Sequence, residues 1–187
     1  FLEYAILSKR QRTSNRRSME RFIRKLYERL QHTEQQFCIM SLDLDGLKYI
    51  NDTFGHLEGD IAIKTVANAL KQNARSIDIV ARMGGEEFNV ILPGIDSQGG
   101  LIVAERIRKA VEAITVDKVG NITASLGVGT FIEHSNDVDE LLELVDQAMY
   151  ESKRNGRNRV TLAKPLNEAS WQELAVDIFV DIISKHR

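Results

Sequence analysis

Arg82-Met83-Gly84-Gly85-Glu86-Glu87-Phe88 sets the tightest constraint on this chain. Two adjacent glycines precede two adjacent carboxylates, and apolar runs lie on both sides, from Ile77 to Met83 and from Phe88 to Leu92. Glycine tolerates positive φ, so the pair allows a tight reversal, and the flanking runs then form a β-hairpin. A hairpin tip here pushes Glu86 and Glu87 out of a sheet. Two anions side by side repel unless a cation sits between them. An exposed turn with two solvated glutamates is the plain alternative.

The chain has 187 residues, enough for one domain with a sizeable core. Lysine and arginine total 25 against 27 acidic residues, so the charge balance makes no general case for nucleic acid. The basic residues are unevenly spread, with Lys9, Arg10, Arg12, Arg16, Arg17, Arg21, Arg24, Lys25 and Arg29 crowded near the start. They make either a solvated helix face or a segment near an anionic membrane or an upstream module. The single cysteine, Cys38, lies in an apolar run and cannot form an internal disulfide, which fits a reducing cytoplasm. No apolar stretch has the length of a membrane-spanning helix, and no signal peptide is visible. A start at Phe1-Leu2-Glu3 rather than Met raises the expectation of a longer parent protein with an upstream sensor or membrane region.

Periodicity orders the elements. Met19, Phe22, Ile23, Leu26 and Leu30 trace an amphipathic helix, so residues 1–34 read as a linker and helix. Phe37 to Leu42 is a buried strand ending at Asp43. Leu47 to Phe54 is a short helix closed by Gly55, and a longer helix follows Gly59. Val103 to Ile114 and Val138 to Met149 carry two more helical stripes, the second stopping near Asn155-Gly156. Ile122 to Val128 alternates as a strand with one greasy face, and Arg159 to Leu162 is a short last strand. Mixed strands with crossover helices predict an α/β sandwich with a partly antiparallel sheet over residues 35–163. Residues 164–187 form a separate amphipathic helix: Ser170-Trp171-Gln172-Glu173 has capping-box form, and Trp171, Leu174, Ala175, Ile178, Phe179 and Ile182 make its stripe.

Asp43 and Asp45 stand at a strand end, a common ligand position in α/β sheets, and point the same way if the strand continues. Turn-forming aspartates are the alternative. Gly46-Leu47-Lys48 opens a helix, where free N–H groups and a lysine suit phosphate oxygens. Asn51 and His56 are polar residues that capping alone could explain.

These motifs together resemble the GGDEF family of diguanylate cyclases. The resemblance rests on Asp43-Leu44-Asp45-Gly46-Leu47-Lys48-Tyr49-Ile50-Asn51-Asp52, Gly55-His56, Gly59-Asp60 and Gly84-Gly85-Glu86-Glu87-Phe88. It continues through Ala124-Ser125-Leu126-Gly127-Val128 and from Tyr150 through Lys153 to Gly156-Arg157-Asn158-Arg159-Val160. It implies a palm-like catalytic domain, similar to polymerases and nucleotide cyclases, that joins two GTP into cyclic di-GMP. It implies Mg²⁺, with Mn²⁺ as a substitute, held by Asp43, the Leu44 carbonyl, Glu86 and Glu87, with Glu86 also helping to deprotonate the attacking hydroxyl. Lys48, a catalytic residue alongside Glu86 in this reading, and the backbone of Gly46 and Leu47 match the phosphate cradle, and Lys153 and Arg157 match cations for the outer phosphates. Asn51 and Asp60, with His56 beside them, match the guanine site. A carboxylate can accept from guanine N1–H and the 2-amino group, a pair that adenine lacks, so selectivity for GTP follows. Arg75 and Asp78, with Arg106 from a later helix, match an inhibitory product site; a surface ion pair is the alternative.

The family implies a homodimer for turnover, because one bound GTP cannot close the two-phosphodiester ring. The sequence also departs from the pattern. Of the usual entry motif only Asn15-Arg16-Arg17 remains, and Gly46 and Leu47 stand where bulkier residues are common. A silent receptor for GTP or cyclic di-GMP is the second reading, although such receptors usually lose the acidic pair that this chain keeps.

Overall fold

The structure is a computed structural model that describes residues 36–165. The two terminal helices expected from the sequence, and Asn15-Arg16-Arg17, lie outside the described residues.

Apolar, strand-favouring runs build a five-stranded sheet in the order β2-β3-β1-β6-β7. Its strands are β1 (Phe37–Leu44), β2 (Ile79–Gly84), β3 (Glu87–Pro93), β6 (Ala124–Thr130) and β7 (Val160–Leu162). All neighbours pair antiparallel except β6 and β7, which pair parallel. The helices are α1 (Leu47–Phe54), α2 (His56–Asn73), α3 (Ser97–Glu112) and α4 (Val138–Arg154). Asp96 caps α3 by accepting from the Gly99 N–H, and Asp137 caps α4 by accepting from the Glu140 N–H. A small separate ribbon of β4 (Thr115–Val116) and β5 (Gly120–Asn121) adds to the elements expected from the sequence; its strands are too short to show an alternating pattern.

The strand period of two divides the core. Cys38, Met40, Leu42 and Leu44 of β1 pack with α1, α2 and α3 on one face. Phe37 and Ile39 pack with Val138, Leu141 and Val145 of α4 on the other, where Phe37 stacks on Phe131 at 4.9 Å between ring centres. The result is the expected palm-like mixed sheet flanked by helices with a GGEEF hairpin. Both faces of the central strands are covered, so β6 is buried along its whole length rather than greasy on one side only.

Two local expectations need correction. The helix after Gly55 starts at His56, and Gly59 lies inside it. Gly55, at φ 90° and ψ 161°, breaks the helical path for one residue only. At the hairpin tip, neither Gly84 nor Gly85 uses positive φ. The register shifts instead, with Arg82 opposite Phe88 and Gly84 opposite Glu87, so Met83 is an extra residue on β2. A bulge of this kind adds the twist that a tight hairpin needs. The Arg82 guanidinium fastens the tip by donating to the Gly85 carbonyl from Nη2 at 2.6 Å and from Nε at 3.1 Å. A Cβ on Gly85 would meet nothing within 4 Å, so the glycine leaves bare backbone and open space beside the carboxylates.

Candidate active site

The middle strand and the hairpin bring the acidic residues together. β1 runs out at Leu44, and its register sets Asp43 opposite Glu87. The Leu44 N–H donates to the Glu86 carbonyl at 3.2 Å, which ties the tip of the hairpin to the end of β1. Asp43 is buried, Glu86 half-buried and Glu87 exposed.

The Lys153 ammonium, from the last turn of α4, lies 2.8 Å from Asp43 Oδ2. Even so, the Asp43 carboxyl is pushed up from 3.8 to about 6. Burial is the main cause; Lys153 opposes it, and the charges of Glu86 and Glu87 add to it. Between these values the folded chain holds a proton that the unfolded chain has released. Stability therefore falls as pH rises from about 4 to about 6, by up to about 3 kcal/mol from this group. Urea midpoints of the metal-free protein should show that slope, and Asp43→Asn should flatten it. Parallel profiles for the two proteins would contradict this.

Among the described residues, no three side chains close into a ready-made metal cage. The donors are nevertheless all oxygens, and the buried carboxyl beside two further anions gains from added positive charge. That chemistry fits a hard divalent cation.

Asp45 differs from the sequence expectation. It lies beyond the strand end and accepts from Thr123 Oγ1 at 2.8 Å, Ser125 Oγ at 2.7 Å and the Asn158 N–H at 3.1 Å. It is a structural anchor, already supplied with donors. Gly46 follows with φ 75°, a left-handed turn that glycine adopts without strain, and starts α1. Leu47 is buried in the core and Lys48 is exposed in the first turn.

Asn51 sits late in α1, and Asp60 sits in α2, both half-buried, with His56 exposed at the start of α2. A Cβ built on Gly59 would lie 2.0 Å from Asn51 Oδ1. The missing side chain at 59 thus makes the space that the Asn51 amide occupies, a role the sequence alone did not disclose. Arg157 is exposed on the turn after α4, at φ 62°.

Arg75 and Asp78 form a second cluster, and Arg106 is bound to the backbone two residues upstream of it. Arg75 donates to Asp78 from its backbone N–H at 2.7 Å and from Nη2 at 2.7 Å, and its Nη2 also reaches the Pro93 carbonyl at 3.1 Å. Arg106 Nη2 donates to the Asn73 carbonyl at 2.7 Å. Pro93 is the far end of β3 from Glu87, about 20 Å away at the rise of an extended strand. This cluster is thus separate from the acidic site.

A family model described as diguanylate cyclase, GGDEF domain, matches residues 12–159. Diguanylate cyclase A of Treponema denticola is 43% identical over 70% of this chain and 36% of its own length. The probable diguanylate cyclase DgcT of Escherichia coli is 40% identical over 70% of this chain and 30% of its own length. The chain therefore spans about a third of the length of these curated relatives. Its structure is similar to the GGDEF domain of DgcB from Caulobacter crescentus, solved in complex with c-di-GMP, with a TM-score of 0.74 at 32% identity, covering 79% of this chain and 90% of that one. It is also similar to the active GGEEF domain of a diguanylate cyclase from Vibrio cholerae, with a TM-score of 0.76 at 30% identity, covering 80% of this chain and 97% of that one.

Proposed function

The chain belongs to the GGDEF family of diguanylate cyclases, and on that premise we propose that it condenses two GTP into cyclic di-GMP. The observation that carries the reading is the meeting of Asp43, Glu86 and Glu87 at one end of β1 and the β2–β3 hairpin, with Lys153 reaching into the group. Each 3′-hydroxyl oxygen bonds to the α-phosphorus of the other GTP, the bond to pyrophosphate breaks, and the hydroxyl proton passes to Glu86.

Cyclases of this family generally use a divalent metal. In this chain Asp43, the Leu44 carbonyl, Glu86 and Glu87 would hold it, with Mg²⁺ the ion we propose. When bound, it supplies positive charge against the triphosphate and lowers the pKa of the hydroxyl. The backbone of Gly46 and Leu47, Lys48, Lys153 and Arg157 bind the phosphates. Asn51 and Asp60 read guanine, with His56 at the edge of the pocket. Arg75, Asp78 and Arg106 form a product site: two guanidinium groups suit phosphate or a guanine edge, and Asp78 can accept guanine donors once Arg75 turns away.

Each domain supplies half of the reaction, so turnover takes two copies around a two-fold axis. GTP as substrate requires the cytoplasmic side, and an upstream sensor or membrane module would set how often the copies meet. Among the described residues, no helix is long and apolar enough to cross a membrane.

The test is incubation of the chain with GTP and Mg²⁺ and identification of the product. Cyclic di-GMP is expected, with activity per chain rising with concentration in the dilute range. Nucleotide binding without product at any concentration would overturn the reading and leave a silent receptor.

A further inference from the structure

The loop after α4 has an unusual backbone. Arg157 and Asn158 are consecutive non-glycine residues at positive φ, 62° and 47°. L-residues resist this conformation, and a pair in succession persists only when its surroundings hold it. Gly156, at φ 108°, relieves only the position before them.

The surroundings that hold it come from α3. Asn158 Oδ1 accepts from Arg108 Nη1 at 2.6 Å, and its Nδ2 donates to Glu112 Oε1 at 2.6 Å. Arg108 Nη1 also donates to Glu112 Oε2 at 2.9 Å, which closes a ring of three side chains. Glu105 braces the rest of the guanidinium through Nε at 2.9 Å and Nη2 at 2.8 Å. The Arg108 side chain is only 11% exposed, so its hydrogen bonds are largely sheltered from competing water. Asn158 and Arg108 together hold the Glu112 carboxyl below the usual range. The asparagine thus uses both ends of its amide on α3, while its backbone N–H donates to Asp45 Oδ2 at 3.1 Å.

Asp45 immediately precedes Gly46, and Arg157 immediately precedes Asn158. One hydrogen bond therefore joins the start of α1 to the loop after α4. We propose that Asn158, clamped by Arg108 and Glu112, is a positioning residue for the triphosphate: it keeps Arg157 on its left-handed backbone and fixes the two halves of the phosphate cradle against each other. The proposal rests on the reading of Arg157 as a phosphate cation. It predicts a change in phosphate recognition alone when only the Asn158 side chain is removed, because the backbone N–H that ties the loop to Asp45 and the start of α1, the helix of Asn51, is kept.

The experiment compares binding of 3′-deoxy-GTP, which lacks the attacking hydroxyl, with binding of guanosine to the full chain. Asn158→Gly keeps access to positive φ and the N–H to Asp45 but removes both amide bonds. It should weaken 3′-deoxy-GTP about tenfold, the scale of losing hydrogen bonds to charged groups, and leave guanosine unchanged. In an Arg157→Ala background it should add no further loss. Glu112→Ala, at a half-exposed site, gives a second variant with a smaller loss in the same direction. If Arg157→Ala weakens the triphosphate and neither clamp variant does, the positioning role is overturned and the phosphate reading survives. If Arg157→Ala leaves triphosphate affinity unchanged, the phosphate reading fails and the proposal falls with it.

Discussion

Glu86→Gln should reduce GTP turnover by about a hundred- to a thousand-fold, the scale on which preorganised electrostatic groups act in a transition state. The substitution keeps the shape of the side chain and removes one unit of charge. It should leave the hairpin in place, because the Glu86 contact that ties the tip to β1 is made by its backbone carbonyl. It also removes one of the anions that raise the Asp43 carboxyl, so the metal-free variant should be as stable as the parent or more so. Loss of activity with stability retained is the pattern of a group placed for chemistry rather than for folding. Initial rates over a range of GTP concentrations, with urea midpoints beside them, read both effects. Activity within tenfold of the parent would remove Glu86 from its proposed role.

Much of this site is legible in the sequence because it depends on local chemistry. The apolar runs fix β1 and the β2–β3 hairpin, and strand pairing then has to deliver Asp43 and the two glutamates to neighbouring ends. The helical stripes of α3 and α4 follow from their period. What is hidden depends on contacts between distant segments. Glycines at 84 and 85 suggest positive φ, yet the reversal is made by an extra residue at Met83 and an arginine clamp from Arg82. The Asp43–Asp45 spacing suggests a matched pair of ligands. Donors from Thr123, Ser125 and Asn158, between 78 and 113 residues away in the chain, instead claim Asp45 for the scaffold. Gly59 looks like a helix breaker until α1 is packed against α2, and then it is the space for Asn51. Arg108 looks like one more surface charge until its partners are seen. In each case a side chain's role is decided by a neighbour that linear spacing cannot reveal.

Gly127→Ala should be the most damaging single-methyl change on the sheet. A strand interior favours alanine over glycine, by up to about 1 kcal/mol from backbone entropy, so local propensity alone predicts a gain. Packing reverses the sign. A Cβ at 127 would lie 2.1 Å from the Val145 carbonyl oxygen, 2.4 Å from the Met149 nitrogen and 3.1 Å from the Ala148 carbonyl carbon. All three atoms are backbone of α4, so no rotamer change can relieve the clash and the helix has to move. Overpacking against a rigid element costs on the order of 3 kcal/mol, a large part of the stability of a single domain. Gly129 supplies the internal control. A Cβ there meets Val145 Cγ2 at 2.6 Å and Leu141 Cδ1 at 3.0 Å, which are ends of side chains that can shift. Gly129→Ala should therefore lower the urea midpoint less than Gly127→Ala, with the m-value unchanged in both. The displaced helix also carries Ser152, which donates to the Leu126 carbonyl at 2.8 Å, and Lys153, which meets Asp43 at 2.8 Å. Lifting α4 pulls Lys153 away from the end of β1, so the folded fraction of Gly127→Ala should also lose triphosphate affinity. Equal midpoint losses for the two glycine variants would show that backbone contact between β6 and α4 does not set the height of the helix over the sheet.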